Sequence, residues 1–120
     1  MKTWAVVGLG NNPERAAFGV AKLLQDKGHR IIPVYPRAET VHGEVGYKTL
    51  SDIPGPVDVV DCFVNSTLVG KVVDQAIAIG AKAVWLQLDV IDDDAIARAQ
   101  AAGLITVMDR CPAIEYRKKS

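Results

Sequence analysis

The sequence predicts an α/β fold: a Rossmann-like, doubly wound parallel sheet of five strands with helices on both faces. Three observations predict it. Short valine- and isoleucine-rich runs alternate with segments whose apolar residues recur at helical spacing. Three of those helical segments stop at a glycine (Gly28, Gly80 and Gly103), and a strand-like run follows within a few residues. The strand-like runs are apolar throughout rather than alternating, as expected when helices cover both faces of a sheet.

Residues 4–9 read as the first strand. Residues 17–27 follow as a helix with Val20, Leu23 and Leu24 on one side. A β-branched run over residues 30–34 is the second strand, stopped by Pro36. Residues 37–56 read as a loop region with one weak helical turn at 49–53. Residues 57–64 form the third strand. The next helix carries Leu68, Val69, Val72, Val73, Ala76 and Ile77, with Asn65 or Ser66 as its N-cap. Residues 83–88 are the fourth strand. Asp92, Asp93 and Asp94 then open a helix, where carboxylates complement the helix dipole. Residues 104–108 are the fifth strand. Right-handed crossovers suggest the strand order 3-2-1-4-5, with the winding reversing between strands 1 and 4.

The length of 120 residues fits one domain, spanning 1–120, around one core. Apolar residues make up 49%, too many for a disordered chain. Lysine plus arginine equals aspartate plus glutamate, 14 against 14, which argues against a nucleic-acid partner. No apolar run approaches the ~20 residues that span a bilayer, so no membrane role is expected. The N-terminus runs straight into a strand, and the two cysteines, Cys62 and Cys111, are far apart; a cytoplasmic location without disulfides follows. His29 and His42 have no partners at metal-ligand spacing, so no metal is expected.

Ligands of such sheets bind beyond the carboxyl ends of the strands, near the reversal. The first loop, Gly8-Leu9-Gly10-Asn11-Asn12, follows a strand and precedes a helix, so its main-chain N–H groups can face a phosphate. The dinucleotide fingerprint would place a third glycine at position 13, where Pro13 stands. Arg15 and Phe18 complete this candidate stretch. The second strand ends in Tyr35-Pro36-Arg37. An acid there would favour NAD; Arg37 instead suits the 2′-phosphate of NADP or the 3′-phosphate of coenzyme A. Phe63 and Val64 close the third strand. Asp61 is expected to be satisfied by loop N–H groups, since an unpaired buried carboxylate is costly. No catalytic constellation is legible.

Several segments carry a family likeness: Val6-Val7-Gly8-Leu9, Pro13-Glu14-Arg15, Ile32-Pro33-Val34-Tyr35-Pro36, Leu50-Ser51-Asp52-Ile53-Pro54, Trp85-Leu86-Gln87-Leu88 and Val107-Met108-Asp109-Arg110-Cys111-Pro112. The chain resembles the small coenzyme A-binding proteins of bacteria and archaea, which are similar to the N-terminal coenzyme A-binding domain of the succinyl-coenzyme A synthetase α-subunit. The resemblance implies coenzyme A lying across the first loop with its adenine near strands 2 and 3. It implies a binder and does not imply catalysis, because the catalytic histidine and nucleotide-grasp domain of that synthetase lie outside this module. Arg15 and Arg37 would then hold phosphates, the 8–12 backbone the pyrophosphate, and Tyr35, Pro36, Phe63 and Val64 the adenine.

The sequence also departs from the family. Gly10 stands where a serine is usual and Asn12 near a usual lysine; Ala16 and Ala17 replace Pro-Ser, and Val64 replaces an arginine. Each lost charge-assisted contact is worth about 1.5–3 kcal/mol. A usual leading helix is missing, and the apolar surface it would cover favours a homodimer. Cys111 would form a mixed disulfide with a ligand thiol if exposed and be inert if buried. Two other functions remain open: an NADP-type oxidoreductase module, and an interaction scaffold that has lost its ligand.

Overall fold

A computed structural model describes residues 2–110. Its elements run β1 (Thr3–Val7), α1 (Ala16–Asp26), β2 (Arg30–Val34), a 3-10 turn (Leu50–Asp52), β3 (Val59–Cys62), α2 (Ser66–Ala78), β4 (Ala83–Leu86), α3 (Asp93–Ala101) and β5 (Ile105–Val107). All strand pairs are parallel. The α/β class, the five strands and the three helices are those the sequence predicts.

Side-chain alternation along the strands divides the core in two. Trp4, Val6 and Val59 pack beneath α1, which turns Ala17, Val20, Ala21 and Leu24 inward. Ala5, Val7, Val60, Cys62, Val84 and Leu86 face the other way, against Val69, Val73 and Ala76 of α2 and Ala95 and Ala99 of α3. The central strands are therefore apolar on both faces, the reason their sequences do not alternate.

The strand order departs from the expectation. The sequence predicts the 57–64 segment outside the 30–34 strand; instead β3 lies between β1 and β4, giving β2-β1-β3-β4-β5. The winding consequently reverses between β1 and β3. Pro33 supplies the physical reason. It sits within β2, and proline has no N–H to donate, so its outward side cannot join a full ladder. That side meets only a short returning segment: Tyr47 N–H donates to the Pro33 carbonyl and Tyr35 N–H to the Tyr47 carbonyl, each at 2.9 Å. β2 is thus an edge strand, and β3 takes the open side of β1.

Gly8 marks the reversal. Its N–H donates to the Val34 carbonyl at 2.8 Å, while Phe63 N–H donates to the Val7 carbonyl at 2.9 Å. Gly8 adopts φ +98°, and a Cβ placed there would overlap the Phe63 carbonyl oxygen. No larger residue fits that conformation without strain.

Asp61 corrects another expectation. It is fully buried on the central strand β3, and among the described residues no loop N–H group meets it. The Gln87 side-chain amide donates to Oδ1, whereas Oδ2 has no partner among the described residues. Burial pushes its pKa up to about 8, against a smaller opposing pull from the Gln87 hydrogen bond. Asp61 is therefore a neutral acid at pH 7.

Two outcomes follow from this core. In the unfolded chain Asp61 titrates near pH ~4, so folding takes up its proton between ~4 and about 8. Its contribution is fully present below that window. Stability then falls by up to about 1.4 kcal/mol per pH unit as pH rises, and levels off above it. The stability advantage of Asp61→Asn over the parent should therefore grow between pH 5 and 8 in urea melts; parallel curves would contradict the burial argument. Gly8→Ala should lower stability by about 2–4 kcal/mol, combining left-handed strain with the carbonyl clash. A loss under ~1 kcal/mol would mean the β1–β3 junction relaxes freely.

Candidate functional site

The carboxyl ends of β1, β2 and β3 and the N-termini of α1 and α2 surround the reversal. Three cavities open there, of about 470, 280 and 530 Å³, and Arg15 lines all of them. The two larger volumes lie within the range of about 300–1,000 Å³ typical of cofactor pockets.

The 280 Å³ cavity is polar and lies over the first loop. Gly8, Gly10, Asn11 and Asn12 form its floor; Arg15, Tyr35, Arg37 and Glu39 form its walls. Asn12 shapes the turn: its side-chain oxygen accepts Glu14 N–H and its carbonyl accepts Arg15 N–H, both at 3.0 Å. Among the described residues, the N–H groups of Gly10 and Asn12 donate to nothing. Asn11 N–H donates to Glu39 Oε1 at 2.9 Å, and Asn11 Nδ2 to the Thr40 carbonyl at 2.7 Å.

The 530 Å³ cavity is the apolar neighbour. Val34, Tyr35, Pro36, Phe63 and Val64 give it a flat apolar wall at the ends of β2 and β3, rimmed by Lys48 and Lys71. The 470 Å³ cavity continues past Phe63 and Val64 toward Ala16, Ala17, Leu88 and Val90, with Gln87 at its base. Gln87 thus joins this cavity to the neutral Asp61 behind it.

The helix termini at the site differ from the third one. Arg15 and Asn65 are the N-caps of α1 and α2; neither side chain caps its helix, and neither first turn holds an acid. The Asn65 oxygen accepts the Thr67 hydroxyl instead, at 2.6 Å. Away from the cavities, α3 is capped by Asp92, which accepts Ala95 N–H at 3.0 Å, and has Asp93 and Asp94 in its first turn. The open ends of α1 and α2 leave partial positive charge facing the cavities. Arg15, Arg37, Lys48 and Lys71 add four cations, none in an ion pair among the described residues.

The structure brings together Gly8, Gly10, Asn11, Asn12, Arg15, Tyr35 and Arg37, and beside them Pro36, Phe63 and Val64. Two sequence candidates lie elsewhere. Leu9 is fully buried in the core beneath α1. Phe18 packs at a tilt against His42 with ring centroids 4.3 Å apart, and its carbonyl accepts a hydrogen bond from His42 Nε2 at 2.8 Å. Cys111 lies outside the described residues. Cys62 is buried, which raises its thiol well above the usual range and leaves it inert.

The stretches 63–68 and 87–91 follow strands, where such sheets bind ligands, and they hold Asn65, Leu68 and Gln87. Sequence reasoning missed Glu39, Lys48 and Lys71, and of these Lys71 had a signal. Leu68, Lys71, Val72 and Gln75 form an i, i+3, i+4, i+7 stripe on α2, all lining one cavity. Glu39 and Lys48 had none, because residues 35–48 carry no periodicity and their return to the site is a tertiary event.

Comparison with known proteins agrees with this geometry. A family model described as CoA binding domain matches residues 2–117. Uncharacterized protein YneT of Bacillus subtilis (strain 168) is 33% identical over 110 residues, 92% of this chain and 82% of that protein. A hypothetical protein from Pyrococcus horikoshii OT3 is 41% identical with a TM-score of 0.93, covering 98% of this chain and 82% of that one. The alpha subunit of acetate–CoA ligase [ADP-forming] II from Pyrococcus furiosus is 38% identical over 71 residues, 54% of this chain but only 16% of that subunit. The fold, the cavity-bearing reversal and a match across nearly the whole length place the chain in one family: it belongs to the CoA binding domain proteins.

Proposed function

We propose that this chain binds coenzyme A or an acyl-coenzyme A and acts as a ligand-binding module rather than a catalyst. The observation that carries the reading is the convergence of two uncapped helix N-termini and four cations on adjoining polar and apolar cavities at the reversal. Coenzyme A needs both kinds of surface. Its diphosphate suits the Gly10–Asn12 amides, the α1 terminus and Arg15. Its adenine suits the wall of Tyr35, Pro36, Phe63 and Val64. Arg37 stands at the end of the polar cavity, where it can pair with the ribose 3′-phosphate. The pantetheine arm would then follow the apolar cavity past Ala16 and Ala17 toward Leu88. Family membership and the stretch shared with an acetate–CoA ligase subunit support this choice of ligand.

The family's usual cations beside Asn12 and at Val64 are absent from this sequence. Lys48 and Lys71 bring positive charge to the neighbouring cavity from other positions. In this reading they take over part of the neutralisation of the phosphates.

Calorimetric titration with coenzyme A, NADP and ATP tests the reading directly. Coenzyme A should bind tightest; tighter binding of NADP, or no binding of any of the three, would overturn it. Arg15→Gln should weaken coenzyme A about tenfold to a hundredfold, the range for one charge-assisted contact. Arg37→Gln should weaken coenzyme A similarly while leaving its 3′-dephospho form within about twofold of the parent. Equal losses for both ligands would move Arg37 away from the 3′-phosphate.

A further inference from the structure

We propose that Glu39 is a resident anion of the first loop, which an incoming phosphate must displace, and so sets which anionic ligands the site accepts. This deepens the coenzyme A reading and rests on it for the natural ligand. The Glu39 carboxylate takes the position a phosphate oxygen would take. Its Oε1 accepts the Asn11 N–H at 2.9 Å and sits 2.6 Å from where a Cβ on Gly10 would lie. The missing side chain at Gly10 therefore makes room for this carboxylate. Arg15 and Arg37 line the same cavity, so Glu39 lies in the field that would attract a ligand phosphate.

The backbone around Glu39 is fixed. Val41 is fully buried beneath α1, and Val41 and Glu44 exchange N–H to carbonyl hydrogen bonds at 3.0 and 2.9 Å. His42 is held against Phe18, and Gln25 donates to the His42 carbonyl at 3.1 Å. A Cβ at Gly46 would overlap the Glu39 carbonyl oxygen, so the returning chain also packs close behind it. What can move is the side chain, which is half-buried and turns about its own torsions. Ligand and carboxylate compete for one amide, and while both remain near it they repel. A ligand is favoured when its contacts with Arg15, Arg37 and the helix terminus exceed that competition. Loosely held anions are rejected.

The test compares the parent with Glu39→Gln and Glu39→Ala, titrated at low salt with coenzyme A and, separately, with inorganic pyrophosphate. The glutamine variant keeps an acceptor for Asn11 N–H but loses the charge; the alanine variant frees the amide. Both should bind each probe about tenfold tighter than the parent, and the gain should shrink as salt rises. Affinity ratios near one, or weaker binding, for both probes overturn the proposal while leaving coenzyme A binding intact. Tightened pyrophosphate binding in variants that do not bind coenzyme A supports the role of Glu39 and removes the coenzyme A reading. Failure of all three proteins to bind either probe overturns both. Thermal melts of the variants, expected to match the parent, exclude misfolding as the cause of any loss.

Discussion

A proline without an N–H settles the architecture on which the site depends. Pro33 makes β2 an edge strand, because at that residue the outward side can accept a hydrogen bond but has no N–H to donate. The third strand must then join the sheet on the far side of β1. The chain winds one way from β1 to β2 and the other way from β3 onward, and the strand ends part between them. The first loop emerges into that crevice, flanked by Tyr35 from one side and Phe63 from the other.

The crevice is chemically divided. Toward β2 it is polar, with loop amides, two arginines and a carboxylate. Toward α2 and β4 it is apolar with cationic rims. The division follows from the elements that meet there. Helix N-termini and a glycine turn expose backbone donors, whereas the last residues of buried strands expose apolar side chains. Asp61 sits behind this surface as a neutral acid, joined to it through Gln87. Its unpaired oxygen is a cost the core carries at neutral pH.

The candidate site was legible in the sequence where function follows local backbone. Gly8, Gly10, Asn11, Asn12 and Arg15 lie on one strand–loop–helix unit, and Tyr35, Arg37, Phe63 and Val64 directly follow strands, so element order alone located them. Leu9 and Phe18 lie in the same stretch, yet their side chains face other surroundings. One is drawn into the core and the other onto His42. Side-chain direction in an irregular loop has no period from which it can be read.

The sequence by itself determined the class of fold, the number and kind of its elements and the end of the sheet that carries the cavities of the candidate site. Those properties rest on hydrophobic periodicity and glycine stops, which act over a few residues. The tertiary structure alone decided the strand order, the burial of Asp61 against Gln87, and the arrival of Glu39 and Lys48 beside the first loop. Each of these depends on which distant segments meet, and that is set by competition for sheet edges and core volume rather than by local preference.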